Sequence, residues 1–484
     1  MDLTRPITDL AADVQSGKLT AEALVKTSLE AIEAAGSYHA ILEVNLQALS
    51  GARTIDDRVK AGEKIGRLAG VPFIAKDNFL TANTHTTAAS HILEPFKAPY
   101  QSTAVIKLEA EGAIMVAKAN LDAFGHGSST ENSDFGASKN PWDETKVPGG
   151  SSGGSAAAVV LGLVPFAIGT DTGGSIRFPA SLCGVVGLKP TYGLVSRFGV
   201  VAMGSSTDVI GPITRRVADA ALILDVMAGR DPLDATTIDR APNYKVAETD
   251  VKGLKVGLVK EFIKADGVDG QVRAGTEAAV EKLRAAGAVV TEFSLPAIEL
   301  ALACYYIIVP AEISSNLSRY DGIKFGFSAK EAKNLEETYN LSRDQGFGAE
   351  AKRRILIGTY VLSSGYYDAF YKKAQTVRTK LIEQFEAAFG KYDVLLGATA
   401  ATTAFALGAK TSDPLAMYAS DIMTVAPSLV GAPAISLPIG LDDAGLPIGL
   451  QLVGPQRGEE QLLEAAAGLE RLIDFSARPT GATK

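Results

Sequence analysis

Between residues 21 and 35 apolar side chains recur three and four positions apart, with Val25, Leu29 and Ile32 on one face. Thr20 stands where a capping hydroxyl is needed and Gly36 where a helix stops, so the pattern predicts an amphipathic helix. The apolar run 70–75 predicts a buried strand leading into Lys76-Asp77-Asn78. Residues 102–111 read as a helix and 113–117 as a buried strand. The stretch 254–295 reads strand, helix, strand. Residues 434–453 read as two strands around Asp442-Asp443-Ala444-Gly445, which predicts a hairpin. A long helix is predicted over 369–389, while 313–350 is polar and turn-rich. This alternation of helices and strands predicts an α/β fold. No repeat, low-complexity tract or linker interrupts it. One large domain over 1–484 is therefore expected, rather than the roughly three that length alone suggests.

The least ordinary stretch is 147–177, VPGGSSGGSAAAVVLGLVPFAIGTDTGGSIR. It reads as a Gly/Ser loop, a helix from about 154 to 162, a strand over 164–169 and a second Gly/Ser loop. Its uncharged run, 149–170, is broken by Gly162 and Pro165, so no membrane span is expected there. The opening MDLTRPITDL has neither the basic nor the apolar part of a secretory signal, and a soluble cytoplasmic protein is expected. The apolar content, 46%, and charged content, 21%, suit a globular chain with a large core. A net charge of −8 argues against nucleic-acid binding by this chain itself. Two cysteines, Cys183 and Cys304, exclude a disulfide scaffold or a Cys-rich metal centre. No metal or nucleotide motif is found, so no metal site is expected.

All four histidines, His39, His85, His91 and His126, precede residue 127. Gly149-Gly-Ser-Ser-Gly153 has the form of the nucleophile turn of α/β hydrolases, but that fold needs its histidine after the serine, so this match fails. A serine nucleophile without histidine needs another base. A lysine kept neutral by burial can serve, and Lys76 at the end of an apolar strand is the candidate. Gly173-Gly174-Ser175 has the form of an oxyanion hole, with successive N–H groups aimed at one oxygen beside a hydroxyl. Taken singly, each has a plainer reading: a solvated lysine, a flexible Gly/Ser loop, a general anion-binding turn.

Together, Lys76, Gly149-Gly-Ser-Ser-Gly-Gly-Ser155 and Gly169-Thr-Asp-Thr-Gly-Gly-Ser-Ile-Arg177 resemble the amidase-signature family in order and spacing. The resemblance continues through Gly187-Leu-Lys-Pro190, Gly431-Ala-Pro433 and Gly445-Leu-Pro-Ile-Gly-Leu-Gln451, and covers nearly the whole chain. It implies one large mixed β-sheet covered by α-helices on both faces. A helical part to about residue 65 and a core from about 66 to 215 would precede a remainder that completes the sheet and pocket. It further implies Ser175 as the acyl-forming nucleophile, Ser151 as a bridging serine after a cis Gly150–Ser151 peptide, and Lys76 as the base. The N–H groups of Thr172, Gly173, Gly174 and Ser175 would hold the oxyanion.

Gly127-Ser-Ser-Thr-Glu-Asn-Ser133, Ser315-Asn-Leu-Ser-Arg-Tyr-Asp-Gly322, Lys352-Arg-Arg-Ile355 and Ser363-Ser-Gly-Tyr-Tyr-Asp368 are similar to the A subunits of glutamyl-tRNA(Gln) amidotransferases. That branch of the family implies L-glutamine as ammonia donor and a heterotrimer with B and C subunits. ATP, Mg and Glu-tRNA(Gln) would be held by a partner subunit, with no cofactor on this chain. It implies Ser128, Arg354 and Asp421 in substrate binding, Arg354 clamping the α-carboxylate and Asp421 the α-ammonium. Arg353 is the adjacent alternative clamp. Plainer readings are a surface helix charge for Arg354 and a helix-start residue for Asp421. His126 departs from the pattern, which more often has an apolar residue there, and is expected to be satisfied by its neighbours. A stand-alone amidase acting on another small amide, and an inactive binding protein, are the competing readings.

Overall fold

Eleven strands form one mixed sheet in the computed structural model, which describes residues 1–241, 243–246, 250–264 and 267–481. In chain order they are β1 (Ile41–Val44), β2 (Pro72–Lys76), β3 (Ile114–Ala119), β4 (Phe166–Asp171), β5 (Val186–Lys189) and β6 (Val209–Thr214). β7 (Lys255–Val259), β8 (Val289–Phe293), β9 (Val394–Ala398), β10 (Ala434–Leu441) and β11 (Pro447–Val453) complete the set. Their spatial order is β1-β3-β2-β4-β6-β5-β10-β11-β9-β7-β8. β3, β2 and β4 run parallel, as do β9, β7 and β8, and the central strands pair antiparallel. β2, β3 and β4 are buried along their whole length, so they read as continuous apolar runs rather than as alternation.

Most local expectations hold. The first predicted helix is Ala21–Ala34, and the Thr20 hydroxyl accepts from Ala23 N at 3.1 Å. The Gly/Ser-rich helix is Gly153–Leu161, ended by left-handed Gly162. β7 and β8 are parallel about the helix Gly270–Ala285, and β10 and β11 form the hairpin. The strand expected at 164–169 lies two residues later, as Val164 and Pro165 finish the turn after Gly162. The polar stretch 313–350 also hides a helix, Leu335–Gly346, capped by Asn334 Oδ1 on Glu337 N at 2.9 Å. Its surface is largely polar and exposed, so no apolar stripe announced it.

Two features of the fold build the site. The parallel pairing of β2 with β4, with Ala75 opposite Ile168 and the Phe73 and Phe166 rings stacked at 5.2 Å, brings their carboxyl ends side by side. Ligands of α/β sheets gather at such ends. The second feature is a helical layer. The run Pro296–Arg319 has the length and mean hydropathy, 1.5, of a membrane span, yet 56% of its most apolar window is buried. Its helix, Ala301–Asn316, packs against Ala349–Leu362 and Lys373–Phe389. At the crossing Gly358 meets the Pro310 carbonyl so closely that a Cβ would sit on that oxygen.

Gly358→Ala must therefore separate the helices that carry Tyr306 and Arg354. We expect a loss of about 1–3 kcal/mol, the usual cost of overpacking, read as a lowered urea midpoint. An unchanged midpoint would mean that the crossing is looser than described.

Candidate active site

Lys76 is the last residue of β2 and is fully buried. Its Nζ lies 2.7 Å from Ser151 Oγ and 2.9 Å from Thr170 Oγ1. Thr170, near the end of β4, also accepts from Asn78 Nδ2 at 3.0 Å. No carboxylate of a described residue forms an ion pair with Lys76, so lost hydration dominates its chemistry. Burial pulls its pKa down from 10.5 to about 7, against the more distant charges of Asp122, Asp171 and Asp208, which favour the ammonium. Near neutral pH a large share of Lys76 is thus a free amine with a hydroxyl at hydrogen-bond distance.

Ser151 follows a cis peptide from Gly150 and precedes the helix Gly153–Leu161. A Cβ on Gly150 would fall inside contact distance of Asp122 Oδ2 and 2.7 Å from Ser129 N, so only glycine fits. Asp122 ties this turn to the next loop. Its N–H donates to Ser151 O at 3.3 Å, and its carboxylate accepts from Thr130 N at 2.9 Å and Asn132 N at 3.2 Å. Burial pushes the Asp122 pKa up to about 6.

The loop after β4 is fixed by its carbonyls and side chains. Gly173 O accepts from Thr424 Oγ1 at 2.6 Å, Gly174 O from Phe178 N at 2.7 Å and Ser175 O from Ser152 N at 3.1 Å. Thr172 Oγ1 donates to Asp208 at 2.7 Å. Below the loop, Asp171 and Arg177 form a fully buried pair with two contacts of 3.0 Å. Arg177 also reaches Thr424 O and Ser428 Oγ at 2.9 Å, and Gln451 Oε1 at 3.1 Å. By contrast, the N–H groups of Thr172, Gly173, Gly174 and Ser175 donate to no described residue. Buried N–H groups are rarely left unpaired, and four in succession make a nest for an anion or an oxyanion. The Ser175 hydroxyl makes no hydrogen bond to a described residue. Contacts of this kind often tighten only around substrate.

A second cluster adjoins the loop. Asp421 closes a short 3₁₀ turn, Ala419–Asp421, and accepts from Ser128 Oγ at 2.6 Å and Tyr306 OH at 2.8 Å. Burial raises its pKa to about 6, held back by those two donors and the Arg354 charge. Arg354 is only 3% exposed, with its ζ-carbon 5.3 Å from the centroids of both Tyr306 and Tyr418, which stack on each other at 4.1 Å. Its Nε donates to Glu350 at 2.8 Å, and Tyr418 OH donates to the same oxygen at 2.8 Å. The two Nη groups of Arg354 donate to no described residue. Arg353, by contrast, has a side chain 42% exposed and is paired with Glu350, so Arg354 is the buried one of the two. Thr424 joins the clusters, since its hydroxyl is 2.6 Å from Gly173 O and 3.1 Å from Asp421 O.

Lys76 and Ser151 thus meet directly, Ser175 is tied to the same turn through its carbonyl and Ser152 N, and Ser128, Arg354 and Asp421 gather around Tyr306. His126 differs from expectation: it is buried, but neither ring nitrogen has a partner. Sequence reasoning missed Thr170, Asp122, Thr424, Glu350, Tyr306 and Tyr418. Asp171 and Arg177 stand inside the second Gly/Ser motif, but the motif alone gives them no role. No His/Cys/Asp/Glu group among the described residues is arranged to hold a metal.

A family model described as Amidase matches residues 23–463. The chain is 50% identical over 476 residues to the glutamyl-tRNA(Gln) amidotransferase A subunit of Cyanothece sp., covering 98% of both chains. It is 53% identical over 438 residues to the protein of the same name from Thermosynechococcus vestitus, covering 90% of this chain and 91% of that one. The crystal structure of the glutamyl-tRNA(Gln) amidotransferase A subunit from Thermotoga maritima superposes with TM-score 0.78 at 41% identity, covering 93% of this chain and 91% of that one. Native peptide amidase from Stenotrophomonas maltophilia superposes with TM-score 0.85 at 30% identity, covering 99% of both.

The desolvation of Lys76 has a direct readout. In an NMR titration of ¹⁵N-labelled lysines, the two fully buried side chains Lys76 and Lys189 should titrate near pH 7, charged below and neutral above, and one of these two signals should vanish in Lys76→Met. If Lys76→Met removed only a signal that titrates above pH 9, the dry setting of Lys76 would be refuted.

Proposed function

This chain belongs to the amidase family, and from that premise we propose that it is the glutaminase, the A subunit, of a glutamyl-tRNA(Gln) amidotransferase. The observation that carries the reading is the pairing of an unengaged Arg354 fork with Asp421, tied through Thr424 to the loop of free N–H groups. Glutamine has one carboxylate, one ammonium and one carboxamide, and this site has an answering group for each. A simple amide would offer no carboxylate to the Arg354 Nη groups and no ammonium to Asp421, and a site built for both selects against it.

Chemistry starts from the neutral amine of Lys76. It takes the proton of Ser151, and Ser151 takes that of Ser175 as Ser175 Oγ attacks the carboxamide carbon. The oxygen of that group becomes an oxyanion, met by the N–H groups of residues 172–175, which need no reorganisation at that moment. The proton returns along the same path to the leaving nitrogen, the C–N bond breaks, and ammonia departs from a glutamyl ester on Ser175. Water then attacks the ester, with the lysine again acting as base, and releases glutamate. Ser128 and Tyr306 orient the Asp421 carboxylate toward the α-ammonium. Glu350 and the Tyr306–Tyr418 stack present Arg354 to the α-carboxylate.

The ammonia passes to a partner in a complex with B and C subunits. That partner holds Glu-tRNA(Gln) and uses ATP with Mg to activate the glutamyl γ-carboxylate for amidation. An acidic chain that makes ammonia has no need of its own tRNA surface, in keeping with a net charge of −8. The complex is cytoplasmic.

Ser175→Ala in the assembled complex should lose glutamine-dependent formation of Gln-tRNA(Gln) and keep the ammonium-dependent reaction. Near-normal use of glutamine by this variant would show that the nucleophile is misassigned.

Arg354→Ala should raise KM for glutamine by roughly 2–5 kcal/mol of lost binding, the cost of unpairing a buried charge pair. It should act far less on 4-aminobutanamide, which is glutamine without its carboxylate. Equal losses on both substrates would assign Arg354 a structural role and favour a stand-alone amidase of simpler amides.

A further inference from the structure

Thr424 is fully buried and tied at three points. Its N–H donates to Asp421 O at 2.9 Å, and its carbonyl accepts from Arg177 Nη2 at 2.9 Å. Its hydroxyl oxygen lies 2.6 Å from Gly173 O and 3.1 Å from Asp421 O. A hydroxyl has one proton and both of these neighbours are acceptors, so the shorter contact, to Gly173 O, takes it. Gly174 abuts the same hydroxyl. A Cβ there would fall on Thr424 Oγ1, and the φ of +143° is one that favours glycine.

The Gly173 carbonyl and the Gly174 N–H belong to one planar peptide group. Fixing the oxygen fixes the direction of that N–H, and donation to the oxygen makes the N–H a stronger donor. Glycines flank this group on both sides, so the backbone alone resists its rotation little. Among the described residues, Thr424 alone donates to Gly173 O. The next peptide of the nest is held locally, by Phe178 N on Gly174 O at 2.7 Å. One oxyanion donor therefore depends on a side chain brought in from a distant segment.

That segment also carries Asp421. Its carboxylate accepts from Ser128 and Tyr306, and its carbonyl accepts the Thr424 N–H. A cation drawn to the carboxylate thus acts on a turn whose next fixed point is the hydroxyl on Gly173 O. Interaction at a group remote from the reacting carbon raises the rate only where it is felt in the transition state. Thr424 supplies a physical connection through which that happens.

We propose that Thr424 is a positioning residue that couples capture of the substrate's α-ammonium at Asp421 to the orientation of the Gly173–Gly174 peptide. An amide without the ammonium is then turned over more slowly as well as bound more weakly. The inference rests on the glutaminase reading above and adds how that site makes recognition count in the chemical step.

The test compares wild type, Thr424→Val and Thr424→Ser, each full-length chain assembled with its partner subunits. Ammonia release is followed from L-glutamine and from 4-carbamoylbutanoate, which is glutamine without its ammonium. Losing an oxyanion donor outright lowers kcat about 100- to 1000-fold, so loosening one should lower it roughly 10- to 100-fold. Thr424→Val should show that fall on glutamine with KM within about threefold, and Thr424→Ser, which keeps the hydroxyl, should recover most of it. On 4-carbamoylbutanoate, where the coupling is not engaged, kcat should change by less than about threefold. Equal falls on the two substrates, an unchanged kcat for glutamine in Thr424→Val, or no recovery in Thr424→Ser would overturn the coupling. So would a wild-type preference for glutamine carried by KM alone, and each of these results leaves the glutaminase reading intact. A wild-type enzyme with no preference for glutamine in kcat/KM would overturn that reading itself. Should Thr424→Val fail to fold, hydrogen exchange at the Gly174 amide of Ser175→Ala decides. Saturating glutamine should slow it at least about tenfold more than saturating 4-carbamoylbutanoate. Equal protection by the two would refute the coupling.

Discussion

An ammonium group in the dry interior of a sheet is the constraint around which this protein is arranged. Lys76 ends a fully buried strand, and its Nζ is met by two hydroxyls, not by a carboxylate. Had a carboxylate stood at ion-pair distance, the charge would have been stabilised and the amine lost as a base. The contrast with Lys118 makes the point: it is equally buried on the adjacent β3, but Asp77 pairs with it at 2.8 Å. The same sheet therefore holds one buried lysine paired with a carboxylate and another with no such partner, which burial draws toward neutrality. On that difference rests the proposed role of Lys76 as a base for Ser151.

The second requirement is a loop whose N–H groups stay free without floppiness. Here the carbonyls and side chains carry the anchoring: Gly173 O, Gly174 O and Ser175 O are all engaged, and Thr172 is held by Asp208. The buried Asp171–Arg177 pair fixes both ends of the loop, and its spare donors reach Thr424 and Ser428 on a distant part of the chain. Removing one partner of such a pair strands a charge and costs about 3–5 kcal/mol, whereas the intact pair contributes less to stability than to geometry. Through Thr424 the same network sets Asp421 against the loop, so the groups proposed to hold the substrate's charged end and its reacting carbon belong to one connected structure.

Much of this is legible in the sequence, and the omissions have physical causes. Periodicity locates the helix Ala21–Ala34, the strand ending on Lys76 and the β10–β11 hairpin, because each buries a regular face or carries turn residues. The helix Leu335–Gly346 is not visible, since a mostly exposed polar helix has no stripe. The missing downstream histidine points to a lysine base, and the Gly/Ser motifs carry the resemblance to one family. Thr170 lies within the second of those motifs, but nothing in linear order says that β2 and β4 are neighbours. Glu350 stands one turn before Arg354 on the same helix, an i,i+4 pair that linear spacing could have shown, whereas Tyr306 and Tyr418 reach Arg354 from two other helices, a convergence that only packing can create. Packing also separates Arg353 from Arg354, adjacent residues of which one is exposed and the other buried. His126 is expected to be satisfied because buried histidines usually are, and the structure leaves its ring unpaired.

Where the acyl group is carried is the centre of this account. The assembled complex, turning over glutamine, can be quenched in acid within milliseconds and its peptides analysed by mass spectrometry. The account predicts a glutamyl ester on the peptide that contains Ser175, absent from Lys76→Met treated in the same way. A glutamyl ester on Ser151 or on any other side chain would contradict it.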